Sequence, residues 1–127
     1  MSEKVQIHQF DPIIYPFKLW VAITDDLIAI SERFIDHKSG KELNTDNPDK
    51  TIAFTQNVEQ KSDRLIGAII VFRRKGYCST KIIAHEATHA ARMLWDHVGE
   101  DATGMEADAY LVGWIAECIE KVKLNKL

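Results

Sequence analysis

Residues 85–89 read His-Glu-Ala-Thr-His, and this pattern constrains the fold more than any other feature, because its chemistry requires a helix. On an α-helix, His85 and His89 lie one turn apart on one face and can direct their imidazoles to one point. Glu86 follows about 100° round the helix. Two neutral imidazoles suit Zn²⁺, which in catalytic sites keeps one position open for water. The motif therefore predicts a metal site with a carboxylate beside it.

The residues around the motif predict the helix that it requires. Apolar side chains recur at helical spacing from 80 to 98, with Ser79 or Thr80 as the N-cap and Gly99 as the stop. Two histidines would be costly to bury in so apolar a helix without polar partners. The sequence therefore favours a metal site over a pair of structural histidines.

A zinc site built on this motif needs a third protein ligand, which the motif itself does not contain. A metzincin would place a histidine where Trp95 stands, and His97 lies too far along the same helix to reach the same ion. A second helix, predicted over 104–127, begins near Glu106, which we take as the candidate third ligand. This residue heads a weakly apolar stripe formed by Glu106, Tyr110, Gly113 and Glu117.

Glu106 also has an alternative role that the sequence leaves open. Thr103-x-x-Glu106 fits a capping box, in which the glutamate bonds back to the amide of the N-cap residue. Asp108 could supply the oxygen ligand if the helix starts later, and Glu100 or Asp101 could supply it from the connecting loop.

Tyr110, one turn after Glu106, is a candidate catalytic residue with two interpretations. Its hydroxyl could donate a hydrogen bond to the oxyanion that forms when a carbonyl is attacked. It could instead be a core aromatic whose hydroxyl is satisfied at the rim of the core. The spacing is compatible with both.

The motif and Glu106, seventeen residues after His89, resemble the gluzincin arrangement of zinc metallopeptidases, whose third ligand is a glutamate on the next helix. The stretch 106–115 is similar to small single-domain HExxH proteins of bacteriophages and related mobile elements. The likeness covers roughly residues 80–122 and implies one Zn²⁺ per chain held by His85, His89 and Glu106, with Glu86 as general base. Two gluzincin features, a second lobe and a transition-state histidine, are not assigned in this chain.

The remaining segments predict a scaffold for the helix pair. Strand patterns occur at 5–10, 18–23, 51–56 and 64–72, the last two as a hairpin, and a helix is predicted from Thr24 or Asp25 to about Ile35. Residues 36–50 read as a loop. We therefore expect one α+β domain over residues 1–127, with a small antiparallel or mixed sheet packed on a zincin-like helix and a following ligand helix. Residues 64–73 could form a sheet edge that binds an extended peptide, or residues 73–75 could guard that edge against aggregation.

Charge and composition limit the partners and the compartment. A net charge of −3 without a large basic face disfavours nucleic-acid binding. No segment has the length and apolarity of a membrane span, and the N-terminal sequence does not resemble an export signal. Cys78 and Cys118 lack metal-binding spacing and are predicted to be reduced core thiols. These features predict a cytoplasmic protein, and they do not specify its oligomeric state.

Together, these observations predict a zinc-dependent metallopeptidase that acts on a peptide or protein substrate. Glu86 would take a proton from the metal-activated water and return it to the leaving amine. The peptide bond as the substrate follows from the resemblance. Two alternatives are a metal-stabilised binding module without turnover, and an inert relic whose motif helix only packs.

Overall fold

The protein is represented by a computed structural model, in which residues 5–43, 52–102 and 104–127 are described. The described residues form five strands and three α-helices, with a short 3-10 turn at Lys75–Tyr77 before the second helix. This composition confirms the predicted α+β class. The elements are β1 (Ile7–Phe10), β2 (Lys18–Ile23), α1 (Leu27–Arg33), β3 (Phe34–Asp36), β4 (Ala53–Gln60), β5 (Ile66–Phe72), α2 (Thr80–Val98) and α3 (Glu106–Lys123).

The strands form one mixed sheet in the order β1-β2-β5-β4-β3. β2 and β5 are parallel, and the other neighbouring pairs are antiparallel, including the predicted hairpin of β4 and β5. The prediction that residues 64–73 form a sheet edge is wrong, because β5 lies between β2 and β4. Its nearly continuous burial is typical of a strand that is covered on both faces.

Helices cover the sheet on both faces. Alternating side chains of β2 and β5 divide between two cores, as expected from the period of two in a strand. One core packs against α2 and α3, and it contains Leu19, Val21, Ile70 and Phe72. The other packs against α1 and contains Trp20, Ile69 and Val71. α2 lies over β4 and β5, and α3 lies over β2.

The first helix is shorter than predicted. Its N-cap is Asp26, which accepts a hydrogen bond from the Ala29 amide at 3.1 Å. It ends at Arg33 because Phe34 turns to an extended conformation and begins β3, where its ring packs edge-on against Trp20. Ile28, an apolar residue of this helix, is 64% exposed. Phe34 and Ile35, which extended the helical pattern in the sequence, therefore belong to a strand, as is typical of aromatic and β-branched residues.

Two sequence predictions fall partly outside the described residues. The predicted loop at 36–50 is described only as far as Leu43, and Thr103, half of the proposed capping box, is not described. Within the described ranges, no helix combines the length and the apolarity needed to cross a membrane.

Candidate metal centre

The motif lies in the first half of α2, whose ends agree with the sequence prediction. The Ser79 hydroxyl accepts a hydrogen bond from the Ile82 amide at 3.3 Å. At the other end, Gly99 takes a left-handed conformation with φ of 76°, and its amide donates to the Trp95 carbonyl. Between these caps the helix buries one face against the sheet, mainly through Ala87, Ala90, Ala91 and Leu94.

The two motif histidines converge. Their Nε2 atoms are 3.2 Å apart, and the ring centroids are 4.7 Å apart. Zinc–nitrogen bonds of 2.0–2.1 Å at tetrahedral angles separate two ligand nitrogens by about 3.3 Å. The pair therefore fits two corners of a tetrahedral zinc site. The same separation also permits a hydrogen bond between one protonated and one unprotonated ring nitrogen.

The premise that these histidines are buried, on which the preference for a metal site over structural histidines was based, is wrong. Both are exposed, and the His85 side chain retains 66% of its accessible surface. The reason is the angular position of the histidines on α2, which is roughly opposite the alanine-rich face that packs on the sheet. The helix is apolar on one side only, so the imidazoles keep access to solvent.

Glu86 is buried between α2 and the sheet, with 8% of its side chain exposed. Its Oε2 lies 4.0 Å from the Nε2 of His85. Its Oε1 accepts a hydrogen bond of 2.7 Å from the hydroxyl of Thr55 on β4. The carboxylate is therefore held beside the histidine pair, with one oxygen bonded to Thr55 of the sheet and the other directed towards His85.

Glu106 is not part of this group. It is an exposed residue at the start of α3, and no cluster of three or more His, Cys, Asp or Glu side chains suited to a metal occurs among the described residues. The capping-box interpretation also involves Thr103, which lies outside the described residues. The N-cap of α3 is Met105, so Glu106 is the first helical residue rather than the third. Its role as a third ligand remains a prediction.

Asp108 has a structural role in place of the alternative ligand role. Its carboxylate is buried, accepts a hydrogen bond from Trp95 Nε1 at 2.9 Å and pairs with Arg92 at 3.3 Å. Asp108 could act as the ligand only if the helix started after Glu106. Because α3 begins at Glu106, this condition is not met. Asp108 therefore connects the start of α3 to the second half of α2, beyond the motif, through a hydrogen bond and an ion pair.

Tyr110 is 74% exposed, so its interpretation as a core aromatic is wrong. It lines an apolar groove between α3 and the segment that joins β1 to β2, together with Ile13, Ile14 and Trp114. His89 lines a different cleft. The structure therefore does not bring Tyr110 to the histidines, and its proposed role with an oxyanion remains untested.

An open cleft of about 680 Å³ adjoins the motif on the side of β4. Its lining includes His89, Asn57 and Lys38, and the loop candidates Glu100 and Asp101 form part of its rim. This volume is within the range of small-molecule and peptide side-chain sites. Both loop carboxylates are exposed, so they face the cleft without joining the histidine pair.

Sequence reasoning missed Thr55, the closest partner of Glu86. Only a partial signal for it was present: Thr55 and Asn57 are polar and two residues apart, but Gln56 between them is polar too, so the alternation with apolar residues is incomplete. Polar side chains at alternate positions of a strand share one face. The sequence alone did not show that this face lies under α2.

The two cysteines are buried free thiols, which confirms their interpretation as core residues. Burial raises the pKa of both thiols, for Cys118 to about 12, although nearby lysines oppose the change. Thiols in this state are poor metal ligands at neutral pH.

Comparisons of the chain with protein-family models, with curated proteins and with solved structures found no match. We therefore infer the function from the geometry around α2.

Proposed function

We propose that this chain is a zinc-dependent hydrolase that cleaves peptide bonds, with His85 and His89 as zinc ligands and Glu86 as the general base. The observation that supports this proposal is the 3.2 Å separation of the two Nε2 atoms, with the Glu86 carboxylate 4.0 Å from His85. Zinc, when bound, activates water at neutral pH and polarises a carbonyl.

In this mechanism Glu86 accepts and then donates the proton. The oxygen that does not bond to Thr55 faces His85, so it can accept a proton from a water held at the histidine pair and pass it to the leaving amine. Burial between α2 and β4 restricts the carboxylate to that orientation.

The outer edge of β4, next to the motif, supports a peptide as the substrate. β3 pairs with β4 only at residues 58–60, so in the described part of the chain the outer edge of residues 53–56 has no strand partner. An extended peptide can add to such an edge through main-chain hydrogen bonds. A peptide added there would run beside Thr55, whose hydroxyl contacts Glu86, and close to Asn57, which lines the same cleft as His89.

Glu106 is proposed as the third ligand on the strength of the gluzincin resemblance. Glu106→Gln should then lower zinc content, and Glu117→Gln, a change on the same exposed stripe, should not. Equal zinc content in both variants would remove Glu106 from the site. The measurement is elemental analysis after dialysis against trace zinc.

A second candidate is a metal-stabilised binding module without turnover. The exposure of both histidines favours it, since a partner protein could approach and complete the coordination. The buried free thiols support a reducing compartment, and we propose the cytoplasm for either function.

One experiment separates these functions. The protein and its Glu86→Gln variant are analysed for zinc and incubated with a mixture of unstructured peptides. One zinc per chain in both proteins, with hydrolysis by the wild type alone, is expected for the peptidase. Zinc without hydrolysis in either would favour the binding module, and the absence of zinc from the wild type would leave only a packing role for the motif.

A further inference from the structure

The hydrogen bond between Thr55 and Glu86 joins the central sheet to the motif helix. Thr55 lies in β4, which is paired with β5 over residues 53–59 and is therefore held firmly in place. Its hydroxyl is 2.7 Å from Glu86 Oε1 and 3.3 Å from the main-chain oxygen of the same residue. The single hydroxyl proton is better used in the shorter, charge-assisted bond.

We propose that Thr55 is a positioning residue for the general base Glu86. The inference rests on the proposed hydrolytic function and adds a residue to it. By fixing one carboxylate oxygen, Thr55 leaves the other directed towards the histidine pair, where Oε2 lies 4.0 Å from His85 Nε2. A catalytic base supported by a strand keeps its geometry better than one supported only by its own side-chain torsions.

The burial of Glu86 makes this contact necessary. A buried carboxylate without a donor bears most of its desolvation penalty and tends to turn towards water. For Glu86, such a turn would move Oε2 away from the histidines. Valine in place of Thr55 keeps the shape of the side chain and removes only the hydroxyl, so it tests the hydrogen bond rather than the packing.

The test uses the full chain with three single variants. Thr55→Val removes the hydroxyl, and Thr55→Ser retains it. Thr24→Val is the matched control, because the Thr24 hydroxyl accepts a hydrogen bond from the Asp26 amide at 3.0 Å in the connection between β2 and α1, outside the motif. We expect Thr55→Val to lower kcat roughly 10- to 100-fold with KM and zinc content unchanged. Thr55→Ser should restore kcat to within a few-fold, and Thr24→Val should match the wild type.

A second measurement does not depend on activity. In metal-free buffer, Thr55→Val should lower the urea midpoint of unfolding, because it leaves the Glu86 carboxylate buried without this donor. In a Glu86→Ala background the same change should have a much smaller effect. Equal shifts in both backgrounds would show that Thr55 acts through packing, and this would overturn the assignment.

The outcomes separate this inference from the function on which it rests. An active wild type whose Thr55→Val variant has the same kcat would overturn the role of Thr55 alone. A serine variant as impaired as the valine variant would also overturn it. A wild type that binds zinc and hydrolyses no peptide would overturn the proposed function and the positioning role together.

Discussion

The imidazoles of His85 and His89 show how much a single turn of helix can specify. Their i and i+4 spacing puts both side chains on one face of α2, where the Nε2 atoms approach to 3.2 Å, so the sequence was sufficient to predict that the two imidazoles meet. The position of Glu106 was not predictable in the same way, because it depends on the length and path of the connection between two helices.

His89→Ala should weaken zinc binding, because it removes one of the two converging nitrogens. We expect a loss larger than the roughly 10- to 100-fold that follows removal of an outer partner of a ligand. Competition with a chromophoric chelator measures the affinity. His97→Ala is the matched control, since His97 is exposed on the same helix and its ring contacts Phe17 and His37. Equal losses in the two variants would contradict a site at residues 85–89.

Asp108→Ala should destabilise the fold, because it leaves Trp95 Nε1 buried without its acceptor and Arg92 without its partner. We expect a decrease of about 2–3 kcal/mol in the free energy of unfolding, measured in urea. Glu117→Ala, which removes an exposed pair with Lys121 at 3.6 Å, should cost less than about 0.5 kcal/mol. Similar decreases in the free energy of unfolding for both variants would argue against a stabilising contact between Asp108 and α2.

At the scale of elements, sequence patterns located most helices and strands but not their neighbours. The positions of β2, β5, α2 and α3 followed from apolar periodicity and caps. The order of strands did not, since β5 was expected at an edge and lies in the interior. Its unbroken apolar run, residues 66–72, was compatible with a strand covered on both faces.

The parallel contact of β2 with β5 requires glycine at position 67. A Cβ built on Gly67 would lie 2.1 Å from the Lys18 carbonyl oxygen, so Gly67→Ala requires the two backbones to separate. We expect it to cost about 1–3 kcal/mol in urea unfolding. Gly113→Ala is the matched control. It lies in α3 with open space around it and should instead stabilise the protein by up to about 1 kcal/mol. A neutral Gly67→Ala would contradict the close approach of the strands.

At the scale of the whole molecule, the two buried thiols couple stability to alkaline pH. Burial raises their pKa from the ordinary 9.0, for Cys118 to about 12. Between these pH values the thiols of the unfolded chain lose protons that the folded chain retains. The contribution of the thiols to the free energy of unfolding is therefore fully present below pH 9.0 and is lost as the pH rises towards 12. Urea midpoints measured from roughly pH 8 to pH 11 should therefore decline.

Cys118→Ala provides the control for that decline, because other groups also titrate at alkaline pH. The variant should be less stable at neutral pH, through the lost packing, and its stability should fall less steeply with pH. A variant with the same slope as the wild type would show that the Cys118 thiol does not contribute to it.

The pairing of β2 with β5 also has a consequence for synthesis of the chain. Lys18 pairs with Gly67, and α1, β3 and β4 are synthesised in between. While the ribosome is still translating those elements, β2, which contains Trp20 and Val21, can pair with β1 on one side, but its partner on the other side, β5, has not been synthesised. The nascent polypeptide thus exposes an apolar strand to which chaperones can bind. Fragments that stop before residue 66 should aggregate when expressed alone.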